Sequence, residues 1–132
     1  PPGYGTRGWA RPGAIGAKIA GPERPVVALV GDAGFLFTVS EIGVAVELGL
    51  PLVILLWNND GLGQIRDDMI ERGIPEIGVN PRNPDYIKLA ESFGARACRP
   101  DSLEAFKAAL VAALAADGPT LIEMRQDARF LD

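Results

Sequence analysis

The sequence predicts a three-layer α/β domain, doubly wound around a mainly parallel central sheet. Two observations carry this expectation. Val26–Val30 and Leu52–Trp57 are continuous apolar runs, too uniformly apolar for strands with one wet face and suited to strands buried inside a parallel sheet. Segments of helical character alternate with the strands, which is the order that parallel pairing through crossover connections requires. The 132 residues suffice for one domain with its own core. No internal repeat or linker divides them, so residues 1–132 are expected to fold as one unit.

Each element has a local reason. Gly3, Gly5, Gly8 and Gly13 mark an opening loop that leads into a small-residue helix over Pro12–Ala20, proline being favourable where a helix starts. Pro25 introduces the first strand, which ends at Gly31-Asp32. Thr38 and Glu41 have the form of a capping box opening a helix that stops near Gly49. Pro51 introduces the second strand, ending at Asn58-Asn59. A helix is expected over Gly63–Glu71, then a Pro- and Gly-rich loop from Gly73 to Pro84, then a short helix from Asp85 to Gly94. Asp101 and Glu104 repeat the capping signature, and Leu103, Phe106, Leu110 and Leu114 share one helical face before the stop at Gly118-Pro119. Leu121–Met124 forms the last strand.

Composition narrows the function classes. Apolar residues make up 48% and charged residues 23%, the balance of a soluble globular chain. A net charge of -4 supplies no broad basic surface for nucleic acid. The absence of histidine excludes Ser-His-Asp and Cys-His mechanisms and histidine-ligated zinc. Cys98 stands alone, so no internal disulfide forms and a reducing cytoplasm is the expected location. The most apolar stretch, Leu48–Trp57, is broken by Gly49 and Pro51 and is too short to cross a bilayer. No secretory leader is visible at the start. A chain beginning Pro-Pro-Gly without methionine is expected to be a processed or excised piece.

Ligands of open parallel sheets sit beyond the carboxyl ends of the strands. Two strands here end in oxygen-bearing residues, Asp32 and Asn59. If the strands are neighbours, both side chains project into one crevice, and hard cations such as magnesium take oxygen ligands completed by phosphate. Gly31, Gly34, Gly61 and Gly63 let the backbone approach a ligand, and the helix after Thr38 aims its positive end toward an anion. These residues point to a magnesium–phosphate site. Singly, each motif is ordinary turn chemistry; their joint occurrence at two strand ends favours function. No Gly-x-Gly-x-x-Gly follows the first strand, which disfavours a dinucleotide.

Gly31-Asp32-Ala33-Gly34-Phe35, followed by a helix, an apolar strand and Asn58-Asn59-Asp60-Gly61, resembles the thiamine diphosphate fingerprint, with Asn59 lying 27 positions after Asp32. Gly5-Thr6-Arg7-Gly8 and Ala14-Ile15-Gly16-Ala17-Lys18 resemble the segment that precedes it in thiamine diphosphate enzymes of the acetolactate synthase and 2-oxoacid decarboxylase type. Gln64-Ile65-Arg66 is similar to the same group, and the resemblance covers nearly the whole chain.

The resemblance implies a diphosphate-binding domain. Asp32, the Asn59 side chain and the Gly61 carbonyl would bind Mg2+. The backbone around Gly31, Ala33 and Gly34 would hold the diphosphate of thiamine diphosphate. Gly5 and Thr6 would receive the aminopyrimidine, while Gln64 and Ile65 would lie near the reacting carbon. The implied partners are a pyrimidine-binding domain, of the same enzyme or a neighbouring subunit, and a 2-oxoacid substrate; no nucleic acid or membrane is implied. The activating glutamate of the family lies on that other domain, so no residue here is assigned a catalytic role and the isolated chain is expected to be inactive.

Three departures qualify the resemblance. Ala33 replaces the second glycine of the family's Gly-Asp-Gly, which is compatible with close backbone approach if its φ is negative. Arg7 and Arg11 stand where the family carries hydrophobic side chains. A lone guanidinium buried there would cost several kcal/mol, roughly, so both are expected on a wet face where they prevent association; contact with an anion is the alternative. The missing pyrimidine-activating residue is the third. The rival functional reading is a stand-alone, non-catalytic α/β domain that has lost cofactor binding. Trp9, Trp57 and Cys98 are expected to serve packing, and Asp67, Asp68, Glu71 and Arg72 to form a solvated helix face.

Overall fold

A computed structural model describes residues 7–131. Helix α1 (Ala10–Ala20) leads into strand β1 (Val27–Gly31), and the short helix α2 (Asp32–Leu36) follows directly. Helix α3 (Glu41–Glu47), strand β2 (Val53–Asn58) and helix α4 (Gly63–Glu71) come next. After the long loop stand α5 (Tyr86–Ser92), β3 (Arg96–Cys98), α6 (Leu103–Leu114) and β4 (Thr120–Arg125). All strand pairs are parallel, in the order β1-β2-β4-β3. The expected three-layer α/β architecture is therefore present.

Side chains alternate across the sheet, and each face acquires its own core. On one face Val30, Ile54, Leu56 and Leu121 pack against Ile15 of α1, Phe35 of α2, Ile42 and Ala45 of α3, and Tyr86 and Ala90 of α5. On the other face Val53, Ile122 and Met124 pack against α6 through Phe106, Ala109, Leu110 and Ala113. Burying each large apolar side chain stabilises the fold by about 1.5–3 kcal/mol, so the two-sided sheet is the main source of stability.

Several sequence expectations need correction. The run Val26–Val30 does not lie mid-sheet: among the described residues β1 is an edge strand, and Leu29 is 68% exposed on the face that α6 leaves uncovered. Uniform apolarity cannot distinguish the two cases, because strand order is a tertiary property. Thr38 does not cap α3. Its hydroxyl donates to the Gly8 carbonyl at 2.9 Å and accepts from Arg11, and Ser40 precedes the helix without a side-chain cap. The cap of α6 is Ser102, which accepts from Ala105 N at 3.1 Å, rather than Asp101. Leu103 and Leu114, expected on the inner face of that helix, are exposed. Cys98 ends β3 and is half-buried; burial raises its thiol pKa. Trp9 is largely exposed, whereas Trp57 is partly buried beside the α6 core.

Arg11 is the largest correction. Its side chain is almost wholly buried, not wet. The guanidinium lies 4.0 Å from the centre of the Phe35 ring and donates to the Phe35 carbonyl and to Thr38 Oγ1. Its Nε and Nη1 have no partner among the described residues. Burial lowers its pKa from the usual guanidinium range to about 10, with the nearby Glu41 opposing the change. The cation–π contact, one carbonyl and one hydroxyl stand in for a counter-ion. Arg7 is exposed, as expected.

Candidate functional site

Residues 28, 30 and 32 share one inward parity along β1 and its continuation; 54, 56 and 58 do so along β2, and 121 and 123 along β4. The lower positions are apolar and fill the core. The upper ones are Asp32, Asn58 and Glu123, all buried. The carboxyl ends of three adjacent strands therefore carry a buried polar tier above an apolar floor. This is the location at which ligands of parallel sheets bind.

Asp32 is 1% exposed. Its Oδ2 accepts from Gly61 N at 2.9 Å and from Asn83 Nδ2 at 2.7 Å, and its Oδ1 accepts from Ala33 N at 2.8 Å. Asn59 comes from the turn after β2. With its amide nitrogen inward, it donates to the Gly61 carbonyl oxygen at 2.9 Å and to Asp32 Oδ1 at 3.2 Å. With its oxygen inward, the same side chain assembles three oxygens with no proton among them. That arrangement is repulsive alone and is what a hard cation requires. Adjacent ligands of an octahedral magnesium at about 2.1 Å are separated by about 3 Å, close to the spacing found here. Among the described residues no group of three His, Cys, Asp or Glu side chains could hold a metal; this set has one carboxylate, one amide and one carbonyl.

The turn that supplies two of these oxygens is conformationally special. Asp60 has φ 59° and Gly61 has φ 148°. Asn58 Oδ1 accepts from Asp60 N at 3.0 Å, an Asx turn that stabilises the left-handed residue. A Cβ on Gly61 would meet the Val79 carbonyl oxygen at 2.6 Å, and one on Gly63 would meet Asn59 Nδ2 at 2.4 Å. Both glycines are required by close approach. Gly31 and Gly34 face open space, so steric need does not explain them. Ala33 lies in α2 and is absent from the positive-φ residues, and its N–H is donated to Asp32 Oδ1 at 2.8 Å.

The remaining expected residues are placed as follows. Gln64 is exposed at the start of α4, and its Nε2 donates to Asp68 Oδ1 at 3.1 Å; Ile65 is half-buried. Gly5 and Thr6 lie outside the described residues. The helix after Thr38 begins at Glu41, so α2, not α3, is the helix that opens beside Asp32. An open cavity of about 230 Å³ is lined by Asn58, Asn59, Asp60, Gln126 and Asp127, and Arg125 spans its rim from Asp60 to Asp127.

Sequence reading missed Asn83, Glu123 and Arg99. Asn83 donates to both Asp32 and Asn58. Glu123 accepts from Asn58 at 2.7 Å and, on its other oxygen, from Arg99 at 2.7 and 3.0 Å. The signal for Glu123 was present: one charged residue inside Leu121-Ile122-Glu123-Met124, a strand otherwise apolar on both faces. Tyr86 lies below this cluster with its ring edge-on to Phe35 at 5.5 Å. Its hydroxyl pKa is raised by burial first and by the negative charges of Asp32, Glu123 and Asp60 second.

Comparison with known proteins agrees with this geometry. The model of the thiamine pyrophosphate enzyme C-terminal TPP binding domain matches residues 1–124. A probable 2-ketoarginine decarboxylase of Pseudomonas aeruginosa is 50% identical over 126 residues, covering 95% of this chain and 22% of that protein. A probable acetolactate synthase large subunit of Methanococcus aeolicus is 38% identical over 127 residues, covering 95% and 21%. The solved thiamine diphosphate-dependent 4-hydroxybenzoylformate decarboxylase of Rhodococcus jostii superposes with a TM-score of 0.83 at 35% identity, over 89% of this chain and 23% of that one. The chain thus spans about a fifth of the length of these relatives. The buried tier at the strand ends and these likenesses lead to one conclusion: the chain belongs to the family of C-terminal TPP-binding domains of thiamine pyrophosphate enzymes.

Proposed function

We propose that the chain supplies the diphosphate and cation site of a cytoplasmic thiamine diphosphate-dependent enzyme that decarboxylates a 2-oxoacid. One observation carries the proposal: Asp32 Oδ1, the Asn59 amide and the Gly61 carbonyl meet within 3.2 Å at the ends of β1 and β2. The oxygen set fits Mg2+, with phosphate and water completing its shell. When bound, the cofactor supplies a nucleophilic carbon and an electron sink for loss of CO2.

The residues of this chain bind and orient. Asp32 contributes the negative charge, and its two oxygens have different tasks: Oδ2 is saturated by Gly61 N and Asn83, whereas Oδ1, with the Asn59 oxygen inward, accepts only from Ala33 N and keeps a lone pair for the cation. The glycines at 61 and 63 keep the approach open. The backbone of Gly31, Ala33 and Gly34 would hold the diphosphate, and Gln64 and Ile65 would border the reacting carbon. The pyrimidine-activating acid, which the family resemblance places on another domain, would come from a partner domain. The chain alone is therefore proposed to be inactive. Two of the relatives are named for decarboxylation of 2-ketoarginine and 4-hydroxybenzoylformate, both 2-oxoacids, which supports this substrate class.

Titration calorimetry of the chain with Mg2+ and thiamine diphosphate tests the proposal. The expected result is saturable, magnesium-dependent heat that Asp32→Ala abolishes. Heat equal to the buffer blank would instead identify a stand-alone, non-catalytic domain. Addition of a pyrimidine-binding domain from a relative, with a CO2 readout, then tests the division of labour.

A further inference from the structure

Building on that cation site, we propose that Asn83 and Glu123 are positioning residues, the links of a directional hydrogen-bond relay running from Arg99 to Asp32. Every orientation in it follows from the one before. Arg99 has only donors, and it occupies Glu123 Oε2 with Nε at 3.0 Å and Nη2 at 2.7 Å. Glu123 Oε1 is thereby left to accept, so Asn58 must turn its Nδ2 toward it, at 2.7 Å. That fixes Asn58 Oδ1 toward the site, where it accepts from Asp60 N at 3.0 Å and from Asn83 Nδ2 at 3.2 Å. Asn83 Nδ2 then also donates to Asp32 Oδ2 at 2.7 Å. Reversing the Asn83 amide would set its oxygen against two acceptors, and Asn83 Oδ1 has no partner among the described residues to favour either orientation.

The relay crosses five segments distant in sequence and has two effects on the site. It saturates Asp32 Oδ2, which turns Oδ1 toward the position shared by Asn59 and the Gly61 carbonyl. It also pins the Asp60–Gly61 turn through Asn58 Oδ1. A buried glutamate is a costly way to hold one amide unless it is itself neutralised, and the Arg99 guanidinium, half in solvent, provides that compensation. Partners of this kind, one bond removed from a metal, typically set its affinity by 10–100-fold.

Mn2+ is the probe, as an octahedral oxygen-seeking ion with an electron spin. Free Mn2+ is counted by electron paramagnetic resonance as it is titrated into the chain with thiamine diphosphate present, and far-UV circular dichroism monitors folding. The variants are Asp32→Asn as the site control, Asn83→Leu, Glu123→Gln and the double variant. Asn83→Leu is expected to weaken Mn2+ about 10- to 100-fold, with Glu123→Gln weakening it less. The double variant should lose less than the product of the two single losses, since the Asn83 arm is already cut and only the Asn58–Asp60 arm remains for Glu123→Gln to disturb. Wild-type affinity in Asn83→Leu, or losses that multiply in the double variant as independent packing defects would, overturns the relay while the site stands. Wild-type binding that survives Asp32→Asn, or no binding at all, removes the site and the relay with it.

Discussion

Replacing Arg11 by methionine should make the chain more stable, although it removes a cation–π contact and two hydrogen bonds. The side chain is 2% exposed, and lowering its pKa from the usual guanidinium range to about 10 corresponds to about 3 kcal/mol against the charged form in the folded state. The interaction with the Phe35 ring returns about 1–2 kcal/mol, and each hydrogen bond about 1 kcal/mol. Methionine, unbranched and of similar reach, recovers apolar contact with the ring worth about 1–2 kcal/mol. Neither acceptor is orphaned: the Phe35 carbonyl retains Thr38 N at 3.4 Å, and Thr38 Oγ1 still donates to Gly8. The net expectation is a gain of about 1 kcal/mol, which raises Tm by roughly 4 °C for a domain of this size.

Linkage gives the same prediction a pH signature. A base whose folded pKa is depressed destabilises the fold wherever it is charged, below about pH 10, and ceases to do so as pH rises from 10 toward the usual guanidinium pKa. The stability difference between wild type and Arg11→Met should be constant at neutral pH and shrink across that window. Urea unfolding followed by circular dichroism at several pH values measures it. A variant less stable than wild type at pH 7, or a pH-independent gap, would refute the reasoning.

Two further outcomes follow from close contacts and caps. Gly63→Ala should leave Tm nearly unchanged, because alanine suits a helix start, yet abolish cofactor-dependent heat in calorimetry by displacing Asn59; Gly61→Ala, blocked by the Val79 carbonyl and by φ 148°, should instead cost on the order of 1–3 kcal/mol in thermal unfolding. Ser102→Ala should cost about 1 kcal/mol through loss of the α6 cap, whereas Asp101→Ala should lie within about 0.5 kcal/mol of wild type in the same assay.

What sequence could and could not reveal has a physical division. Asp32 and Asn59 were legible because each ends a strand, and a strand end is a local event marked by the change from apolar to oxygen-bearing residues. Their meeting in space followed once the strands were taken as neighbours, as β1 and β2 are. Asn83 was illegible because it sits in an irregular loop and acts on residues 25 and 51 positions away. Arg11 was misplaced for a related reason: composition prices a buried guanidinium without knowing that an aromatic ring and a carbonyl wait for it. The capping pairs misled because Thr38 found tertiary partners, in Gly8 and Arg11, that outcompeted the local one.

Among the described residues the outer flank of β1 has no neighbouring strand, and this has a colloidal consequence. Val53 N donates to the Val26 carbonyl, so by strand alternation the main-chain groups of Val27, Leu29 and Gly31 point outward rather than at β2. Adhesive main chain and greasy side groups thus coincide on one border, the kind of margin at which foreign chains stack. A lysine at position 29 is the substitution by which natural sheets blunt such a border, and here it would act without touching the tier above.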